Sequence, residues 1–238
     1  MTPNFSKEMF SETEKLGQIF SLDTHSIIFD RYKFAYDLSQ FKKVLEIGPG
    51  SGIGIDAIST NAKTYSCLEF SIENVELLKK QYKKSLNIYH GDAHNLPYED
   101  ESFNLLIALA MVYYLDMNIF LKEVNRVLEK GGTFFFCTSN KDVPGFVESP
   151  FTTKYYSVNE LNSILRENGF SCEFYGAFPK FTGNLTIQKY KSNIKFFLKK
   201  LFFYFPFGKT IWENFRIARS GIQKPLPKKI KISELKEA

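Results

Sequence analysis

Four glycines at alternate positions, Gly48, Gly50, Gly52 and Gly54, follow the apolar run Val44-Leu45-Glu46-Ile47. Glycine in such a turn reaches φ > 0 without steric cost and lets the backbone come close to a ligand that a side chain would hold off. Glu69 closes the next apolar run, Tyr65-Ser66-Cys67-Leu68. It stands about twenty residues after the first glycine, where a carboxylate can accept hydrogen bonds from both hydroxyls of a ribose. A third run, Leu86 to His90, leads into Gly91-Asp92-Ala93-His94-Asn95-Leu96-Pro97. Together these residues suit a nucleoside-containing ligand lying over a glycine turn. Two nucleotide signatures fail. The dinucleotide pattern G-x-G-x-x-G would need glycine where Ile53 or Ile55 stands, and no Gly-Lys-Ser/Thr follows the turn as a phosphate-binding loop requires.

The elements that must hold these residues alternate between strand and helix. Val44 to Ile47 reads as a short buried strand, followed by a helix through about Ser59. Tyr65 to Glu69 is the second strand, and Ser71 can cap a helix carrying Ile72, Val75, Leu78 and Tyr82 on one face. Leu86 to His90 and Phe103 to Leu109 are further strands. Met117, Phe120, Leu121, Val124, Val127 and Leu128 recur at helical spacing. Gly131-Gly132 is expected to stop that helix before a strand from Thr133 to Cys137. A helix from about Val158 to Asn168 ends at Gly169, and Ser171 to Phe178 is strand-like. Alternation of this kind predicts a doubly wound, mostly parallel α/β sheet with helices on both faces. Its ligands lie beyond the carboxyl ends of the strands, where strand order reverses. Residues 1–42 read as an N-terminal helical cap, 43–179 as the sheet domain and 180–238 as a basic, aromatic-rich helical appendage.

The turn Glu46-Ile47-Gly48-Pro49-Gly50-Ser51-Gly52 resembles the E/D-x-G-x-G-x-G motif of class I S-adenosylmethionine-dependent methyltransferases. Gly91 to Pro97 resembles that family's G-D-A-x-x-L-P, and Ser102-Phe103-Asn104 through Val127-Leu128-Glu129-Lys130-Gly131-Gly132 resembles its S-F-D…R-V-L-K-P-G-G run. The resemblance covers about Lys43 to Phe178. It implies a Rossmann-like fold, S-adenosylmethionine as cofactor, and cofactor contacts from Arg31, Glu46, Gly48, Pro49, Gly50, Ser51, Gly52, Glu69, Phe70, Asp92, Ala93 and Ala110. Asp92 would bind the adenine amino group, Arg31 the methionine carboxylate, and Ala110 would lie beside the transferring methyl. Asn140, Tyr155 and Tyr156 would border the acceptor pocket. No catalytic base stands out; the candidates are His25, His94, Tyr113 and Tyr114. The sequence Ala108-Leu109-Ala110-Met111 lacks the Asn/Asp-Pro-Pro-aromatic motif of nucleobase methylation, so no nucleic-acid partner is expected, while Tyr113-Tyr114-Leu115 and Tyr155-Tyr156-Ser157 with Glu160-Leu161 resemble bacterial methyltransferases acting on small molecules or surface glycans, which implies an acceptor of that class. An NAD-dependent oxidoreductase and a non-catalytic S-adenosylmethionine-binding module are the rival readings.

Bulk properties set the remaining bounds. At 238 residues, 44% hydrophobic and 24% charged, the chain can bury a full core. Cys67, Cys137 and Cys172 are odd in number and widely spaced, suggesting buried thiols rather than a disulfide framework or a metal site. No secretory signal or membrane-spanning run is evident, so a cytoplasmic protein is expected. Charge is uneven: from Lys180 onward 14 basic residues stand against 3 acidic, while before it 17 basic stand against 23 acidic. Within 189–207, Lys195, Lys199 and Lys200 lie among phenylalanines. A lid over the acceptor pocket is the preferred reading of that stretch, and peripheral contact with an anionic lipid surface the other. The family's closing antiparallel hairpin has no clear second strand after Phe178, Lys229-Ile230-Lys231-Ile232 being a poor substitute, and composition does not fix the oligomeric state.

Overall fold

Val44 and Leu45, Leu105 and Leu106, and Ile107 and Ala108 are pairs of neighbours on strands, and within each pair both residues are fully buried. Successive side chains on a strand point to opposite faces, so these strands must be covered on both. The computed structural model describes residues 19–237 apart from 84, 144–145, 147, 150–151 and 177–222. It contains β1 (Ile19–Ser21), α1 (Leu22–Ser39), β2 (Lys43–Ile47), α2 (Ile55–Asn61), β3 (Thr64–Glu69), α3 (Ile72–Tyr82), β4 (Asn87–His90) and β5 (Phe103–Leu109). After a 3-10 turn at Val112–Tyr114 come α4 (Met117–Val127), β6 (Leu128–Cys137), α5 (Val158–Glu167), β7 (Gln223–Pro225) and α6 (Ile232–Glu237).

The main sheet has five strands in the order β4-β3-β2-β5-β6, all pairs parallel. Strand order reverses between β2 and β5, so the exits of those two strands, Ile47 and Leu109, flank the switch point. One face carries Val44, Cys67, Leu105 and Ile107 under Ile28, Tyr32, Ala35, Ile58, Val75 and Leu78 from α1, α2 and α3. The opposite face carries Leu45, Ile47, Leu106 and Ala108 under Phe120, Leu121, Val124, Leu161 and Leu165 from α4 and α5. Ser71 caps α3 as its type suggests, accepting from the Asn74 amide at 3.3 Å. Ser157 and Glu160 close a reciprocal capping box on α5.

Three details depart from the sequence expectation. First, α4 ends at Val127, and Gly131 and Gly132 lie inside β6 rather than stopping the helix. Leu128 already pairs with Phe103, the register slips, and pairing resumes at Leu105 and Thr133, with Gly131 at φ +77 within the slip. Glu129 fixes that slip from outside, accepting from Lys43 Nζ at 2.9 Å and Asn104 Nδ2 at 2.6 Å. Second, residues 171–176 form no strand, and Tyr175 is 74% exposed. Third, the described end of the chain is not purely helical. β7 pairs antiparallel with β1 outside the main sheet, and α6 begins only at Ile232. Cys67 is buried, but Cys137 and Cys172 are only partly so, and all three thiols are free.

The C-terminal stretch 223–237 closes over α1 and α2. Leu226, Ile230 and Leu235 are buried in the core face beneath α1. The Ile230 amide donates to the Ile53 carbonyl at 2.8 Å, Lys33 Nζ to the Leu235 carbonyl at 2.9 Å, and His25 Nε2 to the Lys224 carbonyl at 2.8 Å. Lys229 pairs with Asp56 at 2.6 Å, both partly exposed. Burial rather than charge therefore holds this stretch. Ile230→Ala is expected to cost about 2 to 4 kcal/mol in denaturant unfolding, and Lys229→Ala less than about 1 kcal/mol. Equal losses in the two variants would contradict that assignment.

Candidate functional site

Four strand exits bring the sequence-identified residues to one edge of the sheet. Ile47 leads into the glycine turn, Glu69 ends β3, Gly91 and Asp92 follow β4, and Ala110 follows β5. The Gly48 amide donates to the Leu68 carbonyl at 2.8 Å, the Gly91 amide to the Glu69 carbonyl at 3.1 Å, and the Ala110 amide to the Cys137 carbonyl at 3.0 Å. Sheet hydrogen bonding thus continues one residue past β2, β4 and β5 and sets the height of the loops that follow them.

The four glycines prove to have different reasons. A Cβ on Gly54 would fall 2.0 Å from the Tyr32 ring, and one on Gly52 2.5 Å from Leu78 Cδ2, so these two are small because protein packs against them. Gly48, at φ +67, faces Met111 Cγ at 3.4 Å. Gly50 has φ +57, and a Cβ there would meet no protein atom within 4 Å. Ala110, across the switch point, sits at φ +55. That costs a non-glycine residue about 1 kcal/mol, and such strain clusters where ligands are held.

Glu69 is 5% exposed, with Oε2 accepting from the Gly50 amide at 2.9 Å and Oε1 from the Ser71 amide at 2.8 Å. Burial raises its pKa, and those backbone donors, with Asn74, pull it back down. These donors hold the carboxylate in a fixed orientation beside Gly50, next to where the hydroxyls of a ligand over the turn would lie. These residues fit an adenosine-type cofactor: open space over one backbone turn, and a carboxylate already oriented beside it. Phe70 is 43% exposed next to Glu69, while Ala93 is buried in the opposite core.

Glu46 has a different setting. It lies on the α1 face of β2, 1% exposed, and accepts from Tyr65 Oη at 2.5 Å. Burial pushes its carboxyl up to about 7, against the pull of the Tyr65 hydrogen bond and of the nearby Arg31 guanidinium. Arg31 is itself 9% exposed, with its guanidinium 5.5 Å from the centre of the Tyr32 ring. Sequence reasoning missed Tyr65, although it stands on the strand paired with β2 and on the same face as Glu46; nothing in its type marks it before pairing is known.

The second group of candidates gathers beyond β5 and β6. Tyr113 and Tyr114 sit on the 3-10 turn, 4.7 Å apart between ring centres, and Tyr155 lies 5.1 Å from Tyr113 and 4.6 Å from Phe146. The Tyr113 carbonyl accepts from the Thr153 and Lys154 amides. Asn140 bridges to Tyr156, and its side-chain oxygen accepts from the Asp142 amide, so it is turned onto its own loop. Tyr155 and Tyr156 are buried. His25 does not join either group, since its Nε2 is committed to β7. Among the described residues no cluster has metal-binding composition and no helix is long and apolar enough to cross a membrane. The stretch 189–207 lies outside the described residues.

Residues 45–136 match a family model described as a methyltransferase domain. A probable S-adenosylmethionine-dependent methyltransferase of Mycolicibacterium smegmatis is 31% identical over 149 residues, covering 57% of this chain and 56% of its own. A fatty-acid O-methyltransferase of the same organism is 29% identical over 109 residues, covering 43% of this chain and 40% of its own. The chain thus spans about half the length of these curated relatives. Among solved structures, the YcgJ protein of Bacillus subtilis superposes with TM-score 0.52 at 23% identity, covering 61% of this chain and 68% of that one, a likeness of fold.

Two outcomes are expected from this geometry. Gly50→Val should fold yet lose S-adenosylhomocysteine binding in calorimetry, and Glu69→Ala should weaken it by about 1 to 3 kcal/mol; unchanged affinity in both would remove the site. For Glu46 the folded pKa exceeds the unfolded one, so the folded state holds the extra proton between about 4.5 and about 7. Stability is then lost as pH rises through that window and is level above it. Glu46→Gln should abolish the fall, gaining on the wild type by about 2 to 3 kcal/mol between the ends of the window. Parallel stability profiles would contradict the burial of a titrating carboxyl.

Proposed function

Residues 45–136 match a methyltransferase-domain family model, and on that premise we propose that the chain is a class I S-adenosylmethionine-dependent methyltransferase that transfers a methyl group to a small-molecule or glycan acceptor. The observation that carries the proposal is the open space over Gly50 beside the oriented Glu69 carboxylate, at the one point where strand order reverses.

In this reading the backbone of Gly48 to Gly52 lies against the cofactor, Glu69 accepts from its ribose hydroxyls, Asp92 and Ala93 border the adenine with Phe70 beside them, and Arg31 holds the carboxylate end. When bound, the cofactor supplies a methyl group on a sulfonium, which departs as a neutral thioether when an acceptor lone pair takes the methyl in line. The protein then has to orient the acceptor and exclude water. Ala110, with its small side chain and strained backbone, leaves room beside the methyl. Tyr113, Tyr114 and Tyr155, with Phe146, give the acceptor side an aromatic wall.

Only a hydroxyl or carbon acceptor demands a dedicated base. Among the candidates His25 is bonded to Lys224 and His94 to Asp92 and the Asp116 amide, while Tyr113 and Tyr114 stand on the acceptor-side turn. An acceptor atom that is already nucleophilic, such as a carboxylate, suits that set without a base. The fatty-acid O-methyltransferase relative supports the small-molecule arm of the proposal. The first test is titration of the full chain with S-adenosylmethionine, S-adenosylhomocysteine, NAD and NADP, followed by labelled-methyl transfer to a panel of carboxylic acids, phenols and sugars. Binding of the first two ligands and label on a panel member is the expected result. A nicotinamide cofactor binding alone would overturn the reading, and S-adenosylmethionine binding without transfer to any acceptor, including those in cell extract, would favour a non-catalytic module.

A further inference from the structure

His94 bridges two strand exits in a way the cofactor reading does not use. Asp92 Oδ1 accepts from the His94 backbone amide at 2.9 Å and lies 2.7 Å from His94 Nδ1; His94 Nε2 lies 2.9 Å from the Asp116 amide. A backbone amide can only donate, so Nε2 must be the bare acceptor. The proton of the neutral ring is then on Nδ1, where it can be donated to a carboxylate that accepts. Both partners therefore select the same tautomer. Asp116 in turn caps α4, its Oδ1 accepting from the Asn118 and Ile119 amides at 3.0 and 3.4 Å.

The two ends of this bridge matter for different ligands. Asp92 belongs to the loop 91–97 after β4, on the adenine side. Asp116 ends the turn after β5 that contains Ala110 at φ +55 and both tyrosines of the acceptor side. Both bonds from His94 use Asp92 Oδ1, so a ligand amino group approaching Oδ2 would meet a carboxylate whose other oxygen is already fixed. We propose that His94 is a positioning residue that ties the adenine-side loop to the acceptor-side turn, so that a cofactor held on the first orders the second. The coupling rests on the cofactor reading above; the bridge itself does not.

Two variants divide the bridge. His94→Asn keeps a donor near the Nδ1 position and so the Asp92 contact, but is too short to reach Asp116. His94→Gln can place a carbonyl oxygen near the Nε2 position and restore an acceptor for the Asp116 amide. Ring nitrogen NMR of the ligand-free protein at pH 8 is expected to show His94 with its proton on Nδ1; a proton on Nε2 would overturn the proposal. Exchange of the Asp116 amide should be about tenfold faster in His94→Asn, for loss of one hydrogen bond, and partly restored in His94→Gln. Exchange as slow in His94→Asn as in the wild type would also overturn it. Saturating S-adenosylhomocysteine should then slow Asp116 exchange further in the wild type and leave it unmoved in His94→Asn; an equal response in both would show that the coupling runs elsewhere. If S-adenosylhomocysteine binds neither protein, the cofactor reading fails, while the tautomer and the ligand-free exchange still decide the bridge.

Discussion

The hydrogen bond from the Gly50 amide to the Glu69 carboxylate holds the candidate site together. It joins the exits of two neighbouring parallel strands and fixes a glycine at positive φ. It also orients a buried carboxylate whose second oxygen starts the next helix through the Ser71 amide. A buried charge is tolerated only when its lone pairs are met, and here backbone donors meet part of them. Loss of this bond would free the turn, raise the cost of burying Glu69 and move the start of α3.

The two faces of the sheet have separate duties. The α4–α5 face is closed by a cluster of apolar side chains and anchors the acceptor-side turn through Phe120, Val112 and Leu115. The α1–α2–α3 face contains the Glu46 carboxyl with Tyr65 and Arg31 close by. That polar core sits directly beneath the glycine turn, and the C-terminal stretch covers it from outside through Leu226, Ile230 and Leu235. Because the Ile230 amide bonds to the Ile53 carbonyl, residues far along the chain help to hold the turn that Gly48 begins.

Much of this was legible in the sequence because the signals were local. The strand Phe103–Leu109 and the Ser71 cap follow from runs of apolar residues and from one side chain reaching its own helix. The positive φ of Gly48, Gly50 and Gly52 follows from spacing within one turn. What could not be read depends on pairing between distant segments. Gly131-Gly132 looks like a helix stop, but the demand of β6 to regain register with β5 makes it a slip within a strand. The reason Gly54 is a glycine lies in Tyr32, on another helix. His25, a candidate base by type, is bound to a carbonyl of β7, and the Glu46–Tyr65 pair exists only once β2 and β3 are aligned. The short strand β7 has no apolar alternation to betray it, being Gln223-Lys224-Pro225.

A crystal structure of the full chain with S-adenosylhomocysteine would address the switch-point assignment most directly. The expected result is ligand density in the crevice between the exits of β2 and β5, with the ribose hydroxyls within hydrogen-bond distance of Glu69 and the thioether side of the ligand near Ala110. Density for the ligand at any other edge of the sheet, or a ribose out of reach of Glu69, would contradict it.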